Sequence, residues 1–230
     1  MKTIAHKTNV LFIAIWVTCL FIDTNANAEG NTFYGENAFM NDVSSDYTTA
    51  IGYYALYSNT TGDQNTGVGS AVMYFNTTGA YNVAMGYDAL YRNTSGNDNT
   101  GIGAWALHFN TTGGSNTAIG RMAMELGSIG FYNTAAGAYA LYNNNANYNT
   151  ATGCYSLNNN TTGQYNVATG YHALYSNATA NYNTAVGTYS LHYNTWVSNT
   201  VIGYYAFGYN NAGTYNTAIG CASGPTAVNL

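Results

Sequence analysis

The residues able to do chemistry are few and scattered. Only 6% of the 230 residues are Asp, Glu, Lys or Arg, and nine acids against four bases give a formal charge of -5. After Glu125 no charged side chain occurs before Leu230, so His172 and His192 alone remain there for proton transfer. Acid/base catalysis and hard-metal binding draw on carboxylates, Lys and His. His108, His172 and His192 have no thiolate or carboxylate beside them. Gly101-Ile102-Gly103 opens like a dinucleotide fingerprint, but Gly67-Val68-Gly69 repeats it and no helical pattern follows either. Arg92 and Arg121 cannot supply the clustered cations that displace counterions from phosphates. The chain is therefore expected to have no catalytic residue, no metal site, no cofactor and no nucleic-acid partner.

The N-terminal residues have a separate reading. Lys2 and Lys7, the apolar stretch Val10 to Ile22 and Ala26-Asn27-Ala28 together make a secretory signal over residues 1–28, with the mature chain starting at Glu29. Cys154 and Cys221 then remain. Both follow a repeat glycine four units apart, about 19 Å in a stacked solenoid, too far for a disulfide.

One repeat positions everything else. Its frame, Asn-Thr-Ala-x-Gly, closes on Gly35, Gly52, Gly69, Gly86, Gly103, Gly120, Gly137, Gly153, Gly170, Gly187, Gly203 and Gly220. Each step is 17 residues except two of 16, ending at Gly153 and Gly203. Four residues past each glycine runs an apolar column that includes Leu56, Leu90, Leu107, Leu141, Leu157, Leu174 and Leu191, the expected core. A small residue precedes it and a second turn, Asn-Thr-Thr-Gly at Asn59, Asn76, Asn110 and Asn160, follows it. Two turns per unit leave runs too short for helix, and regular apolar columns argue against disorder. The fold class is thus all-β: a parallel β-solenoid, or β-roll, of about twelve 17-residue coils with two short strands per coil. It fills residues 29–220, with a tail at 221–230, and each coil covers its neighbour at about 4.8 Å.

Three columns stand out beside the core. Asn65, Asn82, Asn99, Asn116, Asn133, Asn149, Asn166, Asn183, Asn199 and Asn216 form a structural ladder in which side-chain amides bond from coil to coil. Glycine and asparagine at the corners suit a positive φ. Tyr81, Tyr132, Tyr148, Tyr165, Tyr182 and Tyr215 form a column whose rings either stack as a ladder or face a ligand such as a glycan. Thr66, Thr100, Thr117, Thr134, Thr184, Thr200 and Thr217 form a Thr column, interrupted by Val83 and Val167, that raises ice binding. The strand residue before each glycine is mostly aliphatic and its neighbour is Ala or Gly, so neither face of that strand carries charge. One face fills the core and the other is free for a second chain.

The units Asn65 to Tyr81 (NTGVGSAVMYFNTTGAY) and Asn166 to Tyr182 (NVATGYHALYSNATANY) resemble the NTAxGxxALxxNTTGxx repeats of phage tail-fibre and bacterial surface proteins. They are more distantly similar to the heads of YadA-type trimeric autotransporter adhesins. The resemblance covers residues 31–220 and implies parallel β-rolls, commonly trimeric, that display an attachment surface. It includes no coiled-coil stalk, membrane barrel or chaperone domain like those that end such proteins.

Residues and resemblance together lead to an expected secreted, non-enzymatic, adhesin-like building block, extracellular or on a bacterial cell surface. Its expected partners are copies of itself, as a trimer or end-to-end fibre, and a host or environmental surface or glycan. A curli-like fibre subunit and a glycan- or ice-binding solenoid are the alternatives. The shortage of charge fits a stack, because identical charges repeated about 4.8 Å apart would repel along the column.

Overall fold

The computed structural model describes residues 21–22, 29–210 and 213–224. The expected signal at 1–28, apart from Phe21–Ile22, and residues 225–230 of the expected tail lie outside the described residues.

The chain winds as a parallel β-solenoid with no helix among the described residues. Twelve three-residue strands end one residue before the repeat glycines, from Thr32–Tyr34 and Thr49–Ile51 through to Thr200–Ile202 and Thr217–Ile219, and enclose eleven full turns. Each strand pairs in parallel with the next coil's strand, Thr on Thr or Val and Ala on Ala, Gly or Val along most of the stack. Register survives both 16-residue coils, since Thr134 pairs with Thr150 and Thr184 with Thr200. A two-residue strand, Phe21–Ile22, lies antiparallel to Thr32–Tyr34 at the first edge.

The second half of each coil also bonds to its neighbours, though it is seldom a regular strand. The N–H of Tyr54 donates to Glu36 O in the preceding coil, and those of Leu56 and Ser58 donate to Val72 O and Tyr74 O in the following one. Among the described residues a regular second strand forms near the C-terminal end only, at Tyr193–Asn194 and Tyr209–Asn210. The reason is backbone geometry. Tyr54 and Leu56 have φ of 54° and 50°, and their equivalents repeat this left-handed conformation coil after coil. Left-handed backbone costs an L-residue roughly 1–2 kcal/mol, so inter-coil bonds and burial must hold it in place.

The interior has two halves. One is apolar: the expected Leu column is fully buried, with Met73 and Met124 at the same level and Ala50, Ala84, Ala118 and Ala151 closing it from the strand side. The other half is amide. Every Asn of the expected ladder is buried except Asn216, which is partly exposed at the end of the stack.

Candidate functional surfaces

The expected ladder does bond amide to amide at several rungs, as from Asn82 Nδ2 to Asn65 Oδ1 (3.2 Å) and from Asn133 Nδ2 to Asn116 Oδ1 (3.1 Å), and it adds bonds to the backbone. Each Asn side-chain carbonyl accepts the backbone N–H of the next Asn, as from Asn82 to Asn65 (3.0 Å) and from Asn149 to Asn133 (2.9 Å). Its Nδ2 donates to a corner carbonyl of the following coil: Asn65 to Gly79 O (2.7 Å), Asn149 to Gly163 O (2.8 Å). The column of Asn59, Asn76, Asn110 and Asn160, read from sequence as a turn, is with Asn93 a second amide-to-amide ladder. Asn76 Nδ2 donates to Asn59 Oδ1 at 2.7 Å and to Gly79 O at 2.9 Å. The corner carbonyl of Gly79 thus accepts from both columns and ties them together. Gly127 interrupts this second ladder, which resumes at Asn144 and runs through Asn160, Asn177, Asn194 and Asn210.

The two short coils test the network. In the first, Ala146 O still takes the Asn133 amide at 2.7 Å. In the second, Asn199 turns to Trp196 O and Val197 O, and Asn183 Nδ2 is left buried without a partner. Unmatched buried donors cost about 1–3 kcal/mol, so this coil is the weak rung.

Outside, the strand face presents two columns in register. The Thr column occupies its outer row, with Val83 and Val167 exposed in the same line. Met85, Ile119, Ile202 and Ile219 are exposed in the row beside it. Neither row contains a charged residue across the twelve strands. No family model, no curated protein and no solved structure matches this chain. Surface chemistry must therefore carry the functional reading.

The six tyrosines singled out from sequence all face outward. Tyr132, Tyr148, Tyr165 and Tyr182 form one stack, with ring centroids 5.2, 4.9 and 5.2 Å apart and planes within 5° of parallel. Their faces cover each other, so a sugar ring meets their edges and hydroxyls rather than a π-face. Tyr81 stands between Gln64 and Asp98 in its column and accepts a bond from Gln64 Nε2 at 3.2 Å; Tyr215 follows Ser198. These side chains leave from a left-handed corner with φ of 57–60°. The corner glycines such as Gly62 and Gly79 are not in that conformation, contrary to the expectation that glycine serves positive φ at both corners.

Many of the other aromatics form a second group near the repeat glycines. Tyr57, Tyr74, Tyr91 and His108 stack in sequence, and Arg121 lies over Trp105 and Tyr139 while donating to the Tyr139 hydroxyl at 2.9 Å. His172 and His192, in different columns, nonetheless meet with ring centroids 5.3 Å apart. Roughly parallel imidazoles send their in-plane lone pairs along parallel lines, not toward one ion. Among the described residues no cluster of three or more His, Cys, Asp or Glu side chains could hold a metal. Cys154 is half-buried and Cys221 exposed, both as free thiols.

Burial shifts the few titratable groups toward neutrality. It lowers the basicity of His108 and, helped by the neighbouring His192, of His172. It raises Asp88 and, against the pull of Arg121, Glu125. A carboxyl raised in the folded state adds stability that is present below its unfolded value and lost as pH rises through its folded one. Replacing Glu125 by Gln should therefore raise the thermal midpoint at pH 7. The gain should vanish when melts are repeated below the ordinary value of 4.5.

Proposed function

We propose that this chain is a secreted, non-enzymatic surface or extracellular building block, adhesin-like, that acts by display and self-assembly of a rigid solenoid. The observation that carries the reading is the uncharged outer strand face, where a Thr row interrupted by Val83 and Val167 lies beside a mostly aliphatic row broken by Tyr34, Thr152 and Thr169, in register over twelve strands. Contiguous exposed apolar surface on a soluble chain marks an interaction site. A second copy laid on the face would remove both rows from water, in line with the oligomers that the resemblance to surface-fibre repeats implies. The signal at residues 1–28 and the resemblance to surface-fibre repeats support an extracellular setting.

Sedimentation velocity tests the assembly. Wild type should run as a discrete oligomer. Ile119→Lys with Ile202→Lys should run as a monomer of unchanged circular dichroism, because both side chains point outward. A wild-type monomer at micromolar concentration sinks the self-assembly reading. N-terminal sequencing of exported protein should begin at Glu29, and electron microscopy should show discrete rods; long fibres would favour the curli-like alternative. Ice binding is the second reading, favoured by the outward, in-register Thr row, and ice-crystal shaping by purified protein decides it.

A further inference from the structure

The geometry points to a covalent modification site: the stacked phenols Tyr132, Tyr148, Tyr165 and Tyr182 are placed for oxidative coupling to dityrosine between adjacent coils. Three observations converge on it. The stack holds consecutive rings 4.9–5.2 Å apart and nearly parallel. All four side chains are 45–59% exposed, so an oxidant reaches them and the rings have room to swing. The corner backbone, at φ of 57–60°, fixes their Cβ atoms in a line set by the inter-coil ladder. Each phenoxyl radical formed here has its nearest coupling partner one coil away.

The chemistry balances with a peroxide as oxidant, delivered through a haem peroxidase. Each phenol gives up one electron and one proton to become a phenoxyl radical, whose unpaired density extends to the carbons ortho to oxygen. Two such carbons join, and the hydrogen on each moves to its oxygen and restores two phenols linked by a carbon–carbon bond. One hydrogen peroxide takes both electrons and both protons and leaves as two waters. The bond would clamp coil to coil, which the free thiols Cys154 and Cys221, four coils apart, cannot do. Tyr193 and Tyr209 form a second pair of the same kind, stacked at 4.8 Å and exposed, with Tyr205 beside Tyr209.

The test treats the purified chain, at low micromolar concentration, with hydrogen peroxide and a peroxidase. Dityrosine fluorescence should appear in a band that still migrates as a single chain, with mass reduced by two hydrogens per crosslink. Tandem mass spectrometry should place crosslinks within Tyr132 to Tyr182. Tyr148→Phe with Tyr165→Phe keeps the rings stacked but leaves Tyr132 and Tyr182 three coils apart, so it should lose these crosslinks and retain the one between Tyr193 and Tyr209. Coupling at Tyr193 and Tyr209 with the four stacked tyrosines unmodified overturns the proposal. So does dityrosine that links different chains only, or an undiminished yield from Tyr132 and Tyr182 in the double variant. None of these readouts depends on the oligomer proposed above.

Discussion

Gly120→Ala should leave the solenoid unfolded or at least about 3 kcal/mol less stable in urea melts. Gly120 has φ of 133°, a conformation nearly closed to any residue with a Cβ. An alanine methyl there would also lie 2.7 Å from the carbonyl carbon and oxygen of Gly137 in the next coil. That neighbour is backbone within a stack, so it cannot step aside without moving the coils beyond it. Gly79, at the other corner, is the control. Its added methyl would be as crowded, 2.5 Å from Gly96 O, but its φ is not in the left-handed region, and Ala146 and Ala180 occupy the equivalent position in other coils. Gly79→Ala should cost much less; equal losses at the two sites would refute the argument from φ.

Asn149→Asp should be the most damaging near-isosteric change and should depend on pH. Asn149 is fully buried, and its Nδ2 donates to Asn144 Oδ1 at 3.1 Å and Gly163 O at 2.8 Å. An aspartate keeps the carbonyl that accepts from Asn166 N–H but removes both donations and buries an anion facing two oxygens. Asn160 Nδ2 still donates to both oxygens, so the loss comes from the uncompensated buried charge, and about 3–5 kcal/mol is expected at pH 7. The buried carboxyl's affinity for its proton rises, so folding favours the protonated form. Stability should recover in part as pH falls toward 4, where a carboxylic O–H replaces one donor. Denaturation midpoints at pH 7 and pH 4 measure this, and a variant equally unstable at both would contradict it.

Much of this architecture was legible because a solenoid writes its core as columns. The Leu column and the first Asn column follow from period alone, and both lie inside. The partners of those amides were not legible, since Asn65 bonds to Gly79, a residue no local pattern connects to it. Asn59, Asn76, Asn110 and Asn160 resembled turn residues because Asn-Thr-Thr-Gly has turn chemistry. A signal was present: at Asn143-Asn144-Asn145-Ala146 the Thr and Gly are replaced while the central Asn stays. The left-handed tyrosines and leucines were hidden for a different reason. Local preference assigns that backbone to Gly and Asn, and the stack overrides it where inter-coil bonds leave no other path. The stacking of His172 on His192 was equally hidden, because it joins two sequence columns that converge only after the coil bends.

The coil-to-coil register makes length an adjustable quantity. Each turn meets its neighbours through the same backbone bonds and, except at Gly127, the same two amide columns, so a whole unit can be gained or lost without redesigning any other. A recombination slip between two near-identical repeats would give a longer or shorter rod of unchanged cross-section. Both short coils retain strand register, so even a one-residue error is absorbed within its own coil. Such a chain is a ruler whose reach selection can set in steps of about 4.8 Å, with the chemistry of its sides left intact.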